Sequence, residues 1–326
     1  MQYRLLGKTE LKVPVVSYGA WANGGWMWGG TDDAAAVRAM HCAIDEGMTL
    51  IDTAPTYGMG HSESVVGKAI AGRRDQALVA TKCGIRWDLE TDQEGQLTRD
   101  NDGKEVKLVR CLKPISITLE LEQSLRRLGV DYIDLYQIHW PDPNTPVEES
   151  METLIKLQEQ GKIRAIGVSN YSVEMMQVCM SRGTLASDQP KYNPLERDIE
   201  KDVLPFCLEN GVGVMAYSPI AQGLMTGKVT PERVFKEGDA RGSKPLFSVE
   251  SRKRVLAMLD KIRPIADGHG ITLGQLAIAW VVAQPGITTA IVGARDEAQV
   301  AENAKAGEVV LTHEELALIR GALEAM

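Results

Sequence analysis

No apolar stretch in this 326-residue chain approaches the roughly 18 residues that a membrane-spanning helix needs. Nor does a basic start run into an apolar segment, so no export signal is read and the expected location is the cytoplasm. Cysteine is scarce. Cys42, Cys83, Cys111, Cys179 and Cys207 are scattered, odd in number and without paired spacing, which suits a reducing compartment better than a disulfide framework. Buried or inert thiols are expected. Basic charge is in deficit: 36 Lys and Arg against 44 Asp and Glu give a net charge of −8. That balance leaves no concentrated basic face to displace counterions from nucleic-acid phosphates, and it disfavours an anionic membrane surface. No Gly-x-Gly-x-x-Gly opens a βαβ unit, so a doubly wound nucleotide-binding sheet has no support. No Cys/His cluster has zinc-ligand spacing, and no metal is expected.

What the chain does contain is the composition of an ordinary globular protein, 44% hydrophobic and 25% charged, with enough length to bury a large core. Strand-like runs alternate with helix-like ones, the pattern of a parallel sheet with crossover helices. Eight candidate strands cover 17–19, 49–52, 77–81, 132–138, 165–168, 187–189, 213–217 and 289–292. Helical patterns lie between them, such as 34–46, 63–71, 116–128, 147–160 and 203–209, and Gly47, Gly129 and Gly161 close three of these. Eight such units predict an α/β fold of a single (β/α)8 TIM barrel occupying residues 1–326. Residues 3–13, with Gly7-Lys8-Thr9 in the middle, predict a β-hairpin that caps the barrel floor. Segments 84–109 and 220–250 are too long and polar for simple connections, and both leave the carboxyl rim, where long loops shape a ligand site.

Four polar residues stand at or just past predicted strand ends: Asp52, Tyr57, Lys82 and His139. Each alone is weak, since a rim lysine is usually solvated and a lone histidine is usually structural. Together they make a proton-handling set. Asp52 and Lys82 end neighbouring strands, which lets the carboxylate hold the ammonium, while Tyr57 sits close enough to share it. A cation beside a phenol favours phenolate, so the tyrosine pKa is expected to fall from about 10 towards working pH. His139 is placed to orient a carbonyl oxygen and stabilise its developing charge.

The run Asp52-Thr53-Ala54-Pro55-Thr56-Tyr57-Gly58, then Ser62-Glu63, Thr81-Lys82 and Gln137-Ile138-His139-Trp140, closely resembles the aldo-keto reductase superfamily. The resemblance covers nearly the whole chain in order. It implies an NADPH-dependent reductase of aldehydes and ketones, with NADH as the alternative cofactor, whose tetrad falls on Asp52, Tyr57, Lys82 and His139. It further implies that Ser169, Asn170 and Gln189 hold the nicotinamide carboxamide, that Tyr217 stacks on the ring, and that Ser218 and the following loop reach the pyrophosphate. Gly293, Arg295, Gln299 and Asn303 would take the adenosine end, where a helix start offers free backbone N–H groups to an anion. The chain departs from the best-known reductases by carrying Gly293 and Ala294 where they place a lysine and serine, and Gln299 where they place an arginine. Arg295 is the remaining cation for a 2′-phosphate. The Gly-Ala-Arg pattern, with Trp28-Gly29-Gly30-Thr31-Asp32, is similar to bacterial-type members, and a monomer is expected.

Trp21, Trp26, Trp28, Trp87 and Trp140 account for five of the six tryptophans and fall on predicted loops, which suggests an aromatic-walled pocket above the nicotinamide. Aldehydes with an apolar body suit such walls, and sugars also stack on tryptophan. Two other functions use the same barrel. A regulatory, channel-associated β subunit keeps the nucleotide site, and an isomerase or aldolase would use Lys82 as a Schiff base but has no use for a nicotinamide seat.

Overall fold

The computed structural model describes residues 1–25, 30, 32–235 and 239–326. Eight parallel strands close into a barrel: β1 (Val16–Gly19), β2 (Leu50–Asp52), β3 (Leu78–Cys83), β4 (Ile133–Ile138), β5 (Ile163–Val168), β6 (Ser187–Asp188), β7 (Gly213–Tyr217) and β8 (Ile287–Gly293). Each strand pairs with the next in sequence, and β8 returns to β1. Every strand expected from the sequence is present, with no bound moved by more than two residues.

Period-two alternation along these strands sorts their side chains. Leu50, Ala80, Leu135, Ala165, Met215 and Ile291 form a small buried cluster with Leu6, Leu11 and Val13. This is the barrel interior at its floor, plugged by an antiparallel hairpin whose strands, Tyr3–Leu5 and Lys12–Pro14, the sequence placed there. Two residues further along β2, β3 and β4, on the same face, stand Asp52, Lys82 and Gln137. The intervening residues Ile51, Tyr136, Ile138 and Ile166 join the larger cluster between barrel and helices. An apolar layer thus supports a polar layer at the carboxyl rim.

The outer helices are α1 (Asp33–Asp45), α2 (His61–Ile70), α3 (Pro114–Leu128), α4 (Val147–Glu159), α5 (Val173–Arg182), α6 (Val203–Asn210), α7 (Val249–Gly268), α8 (Leu273–Ala283), α9 (Glu297–Lys305) and α10 (His313–Glu324). Asp32 caps α1 through its side chain, and Thr272 with Gln275 forms a capping box on α8. Helix α8 is buried along ten of its eleven residues, so it has no polar face for a periodicity reading to find.

Segment 84–109 proves to be more than a loop. Ile85–Arg86, Gln96–Arg99 and Glu105–Arg110 form a three-stranded antiparallel sheet. Its tip is turned by Asp100, whose Oδ1 accepts from the backbone N–H groups of Asp102 and Lys104 at 3.0 and 2.9 Å. The described part of 220–250 is a chain of short 3-10 turns, at Ala221–Thr226, Ala240–Ser243 and Pro245–Phe247.

Candidate active site

Lys82 is fully buried in the barrel mouth and donates three hydrogen bonds, to Asp52 Oδ2 at 2.7 Å, the Thr53 carbonyl at 2.8 Å and the Tyr57 hydroxyl at 3.3 Å. Burial pulls its pKa down, but Asp52 and Tyr57 outweigh that and hold it above the ordinary lysine value. Tyr57 behaves differently from the sequence expectation. Burial raises its pKa, the nearby Lys82 lowers it, and the net displacement is upward because the hydroxyl is desolvated and Asp52 adds negative charge. The phenol therefore holds its proton at neutral pH, the state a proton donor needs. His139 meets the Tyr57 ring edge-on, with centroids 5.9 Å apart. Burial first, and the Lys82 charge second, push its pKa well below the ordinary histidine value, so the imidazole is neutral.

The Ser62-Glu63 pair that accompanies the tetrad in sequence is structural support. Ser62 Oγ bonds Thr53 Oγ1 at 2.8 Å and the Ala20 carbonyl at 2.9 Å, fixing the chain on both sides of the Asp52 strand end. Fully buried Glu63 accepts from Thr81 Oγ1 and from Arg127 Nε, each at 2.6 Å, pinning α2 and α3 to the strand that carries Lys82. The Tyr57 loop is held against Gly24, where an added Cβ would lie 2.6 Å from the Tyr57 carbonyl carbon. Asn101, at the tip of the three-stranded sheet, donates to the Gly24 carbonyl at 2.9 Å and closes the arrangement from above.

The residues expected around a carboxamide lie together at the next strand ends. Ser169 Oγ donates to the Gln189 carbonyl at 2.7 Å, Asn170 Nδ2 donates to Ser169 Oγ at 2.9 Å, and the Tyr217 hydroxyl donates to Asn170 Oδ1 at 3.0 Å. Asn170 has φ 60° and Ser218 φ 56°, left-handed values that bend the chain outward at both strand ends. Gln137, to which its sequence motif gives no role, reaches from β4 to Asp52 Oδ1 at 3.3 Å, and Gln189 reaches the same oxygen at 2.8 Å. Its placement after Leu135 on the inward face was the available signal.

A single cleft of about 800 Å³ runs from Asp52, Tyr57 and His139 past Ser169, Asn170, Gln189 and Tyr217 to Gly293, Arg295, Gln299 and Asn303. Lys228, Arg233, Arg241 and Lys244 line it from the 220–250 segment, cations that belong to none of the sequence motifs although their density is visible in the chain. Arg241 and Lys244 bond the Gln222 carbonyl and side chain at 3.3 and 2.9 Å, tying one part of that segment to another along the wall. This long, cation-lined groove, with an amide-rich seat at one end, fits a dinucleotide. The far end differs from expectation: Asp296 caps α9, accepting from Gln299 N at 2.8 Å, so the chain's own carboxylate uses the helix start. Gln299 further accepts from Arg295 N at 3.1 Å, and Asn303 donates to the Gly293 carbonyl at 3.3 Å.

Trp21 and Trp140 line the cleft, and Trp21 lies 6.2 Å from the Tyr57 ring. Trp87 is not among the cleft's lining residues. The three-stranded sheet presents Ile85, Gln96 and Leu108 there, because pairing of Arg86 with Val109 sets which side chains face inward. Trp26 and Trp28 lie outside the described residues.

Comparison with known proteins gives a consistent result. The model of the Aldo/keto reductase family matches residues 15–324. Aldo-keto reductase YhdN of Bacillus subtilis (strain 168) is 40% identical over 303 residues, 92% of this chain and 87% of its own. NADH-specific methylglyoxal reductase of Escherichia coli (strain K12) is 37% identical over 331 residues, 98% of each chain. Among solved structures, the glycerol dehydrogenase AKR11B4 from Gluconobacter oxydans superposes with a TM-score of 0.88 at 41% identity, covering 99% of this chain and 95% of its own.

Proposed function

Because this chain belongs to the aldo/keto reductase family and is an NAD(P)H-dependent oxidoreductase of carbonyl groups, we propose that Tyr57 is the acid that completes the reduction of a small aldehyde or ketone. The observation that carries this reading is the Tyr57 hydroxyl at 3.3 Å from a buried, protonated Lys82, at the closed end of the cleft. A bound nicotinamide supplies the hydride. Tyr57, kept neutral by burial, carries the proton for the carbonyl oxygen, and Lys82 stabilises the phenolate that remains. Asp52 balances the lysine charge, and neutral His139 offers an uncharged donor to the same oxygen. Ser169, Asn170 and Gln189 hold the carboxamide, Tyr217 backs the ring, and Ser218 with the cations of the 220–250 wall takes the pyrophosphate. Arg295 supports NADPH through paired contacts to a 2′-phosphate, and Gln299 and Asn303 brace the adenosine end. Trp21 and Trp140 favour a substrate with an apolar body.

The test is Tyr57→Phe, assayed by nucleotide oxidation with a panel of aldehydes, dicarbonyls and sugars. The variant is expected to bind NADPH nearly as the parent does and to lose at least about 100-fold in turnover. Unchanged turnover would overturn the assignment of the acid.

A further inference from the structure

Beneath the tetrad, two buried glutamines converge on one carboxylate oxygen. Gln189 Nε2 donates to Asp52 Oδ1 at 2.8 Å and to Gln137 Oε1 at 3.3 Å, while Gln137 Nε2 donates to the same Asp52 oxygen at 3.3 Å. A side-chain amide nitrogen carries two hydrogens. Both of those on Gln189 are engaged within the protein, and Oε1 is the group it has left for the cleft it lines. The polarity follows from chemistry. Asp52, as the carboxylate partner of Lys82, only accepts hydrogen bonds, so an inverted Gln189 would aim its carbonyl at a negative charge. Gln137 takes the second hydrogen and orders the amide further. Space for Gln137 comes from Gly167 on the neighbouring strand, where a Cβ would stand 2.9 Å from Gln137 Cγ and 2.6 Å from Ser187 Oγ. Beside Gln189, Asn170 has engaged its own amide hydrogens with Ser169 Oγ at 2.9 Å and the His139 carbonyl at 3.4 Å.

We propose that Gln137 is a positioning residue: together with Asp52 it locks the Gln189 amide so that the cleft meets an acceptor there. The seat then selects a nucleotide whose pyridine ring carries a carboxamide, which brings N–H donors, over the analogue carrying a carboxylate, which brings only acceptors and a charge. Asp52 thereby serves both the proton site and the cofactor seat. The assignment rests on the reading of Gln189 as part of the nicotinamide seat.

Titration of intrinsic tryptophan fluorescence tests it, with NADP+, its nicotinic acid analogue, and 2′-phospho-ADP-ribose, which lacks the pyridine ring. The parent protein is expected to bind NADP+ at least about tenfold more tightly than the carboxylate analogue. Gln137→Met, similar in length but without the amide, is expected to narrow that ratio about three- to tenfold while both proteins bind 2′-phospho-ADP-ribose alike. A general loosening of the barrel would weaken all three ligands together and leave the ratio unchanged. An unchanged ratio in the variant, or equal affinities in the parent, overturns the lock; the parent measurement stands even where the variant fails to fold. Absence of NADP+ binding to the parent would instead sink the cofactor reading of the cleft, and the lock with it.

Discussion

The Lys82 ammonium lies 3.3 Å from the Tyr57 hydroxyl and 5.0 Å from the centre of its ring, so one buried cation stabilises both the oxygen and the π face of the proposed acid. It does not by itself bring the phenol down to working pH, since burial wins the balance. Its larger contribution is to the charged form that remains after the proton has left.

Lys82→Met should therefore abolish turnover and destabilise the fold for separable reasons. Turnover is expected to fall at least about 100-fold. Asp52 left buried without its partner should cost about 3–5 kcal/mol of unfolding free energy, measured by denaturant titration. Adding Asp52→Asn should restore much of the stability and none of the turnover. Recovery of both together would contradict the separation.

The neutral state of His139 predicts the shape of the pH profile. Since its pKa is pushed well below the ordinary value of 6.5, kcat/KM for reduction should show no imidazole limb between about pH 6 and 8. His139→Gln, which keeps an uncharged donor, should retain more activity than His139→Ala. A limb centred near the ordinary histidine value would contradict this account.

Asp188 sets a pH dependence of stability. It is fully buried at the end of β6, and burial pushes its pKa up from 3.8 to about 8 although the backbone N–H groups of Tyr171 and Gln189 pull it the other way. A raised carboxyl pKa means that folding takes up a proton between those values. The contribution is full below about pH 4 and is lost as pH rises through about 8. Glu120, buried and raised to about 8, acts in the same direction. Asp188→Asn should raise the melting temperature clearly at pH 9 and little at pH 4, a gain on the order of 1–3 kcal/mol at the higher pH. Equal gains at both would show that the group is not titrating.

The seating of Tyr57 depends on a glycine pair. Gly58 has φ +70°, and a Cβ there would run into the Gly24 carbonyl oxygen that Asn101 also bonds. Gly58→Ala is expected to cost about 1–3 kcal/mol and to lower turnover by displacing the preceding residue. Circular-dichroism melts and steady-state kinetics read the two effects. Loss of stability with unaltered turnover would detach the pair from the placement of Tyr57.

Nucleotide choice should turn on the start of α9. Arg295→Ala is expected to weaken NADPH about tenfold or more and to leave NADH nearly unchanged, measured as the ratio of the two kcat/KM values. Asp296, whose carboxylate caps the same helix start, works against a 2′-phosphate, so Asp296→Asn should shift the ratio towards NADPH. An Arg295→Ala variant with an unchanged ratio would show that the cation does not read the phosphate.

The sequence alone determined the alternation of strands and helices, the eight strand positions and the quartet at their ends. These are local or near-local properties. Period-two placement puts Asp52, Lys82 and Gln137 on the inward face of any barrel these strands form. Tertiary structure decided what no local pattern encodes. The direction of the Tyr57 shift is a sum of desolvation and charges from β2, β3 and the loop between, and its sign depends on how completely the mouth is closed. Segment 84–109 became a sheet that presents Ile85 and Leu108 to the cleft, while Trp87 lies past the short strand that carries Ile85 and does not line it. Gln137 and Gln189, 52 positions apart, acquired a shared purpose only when strand closure set both against the same carboxylate oxygen. Hydrogen-bond polarity is settled by which groups meet across the barrel, and that meeting exists only in the closed fold.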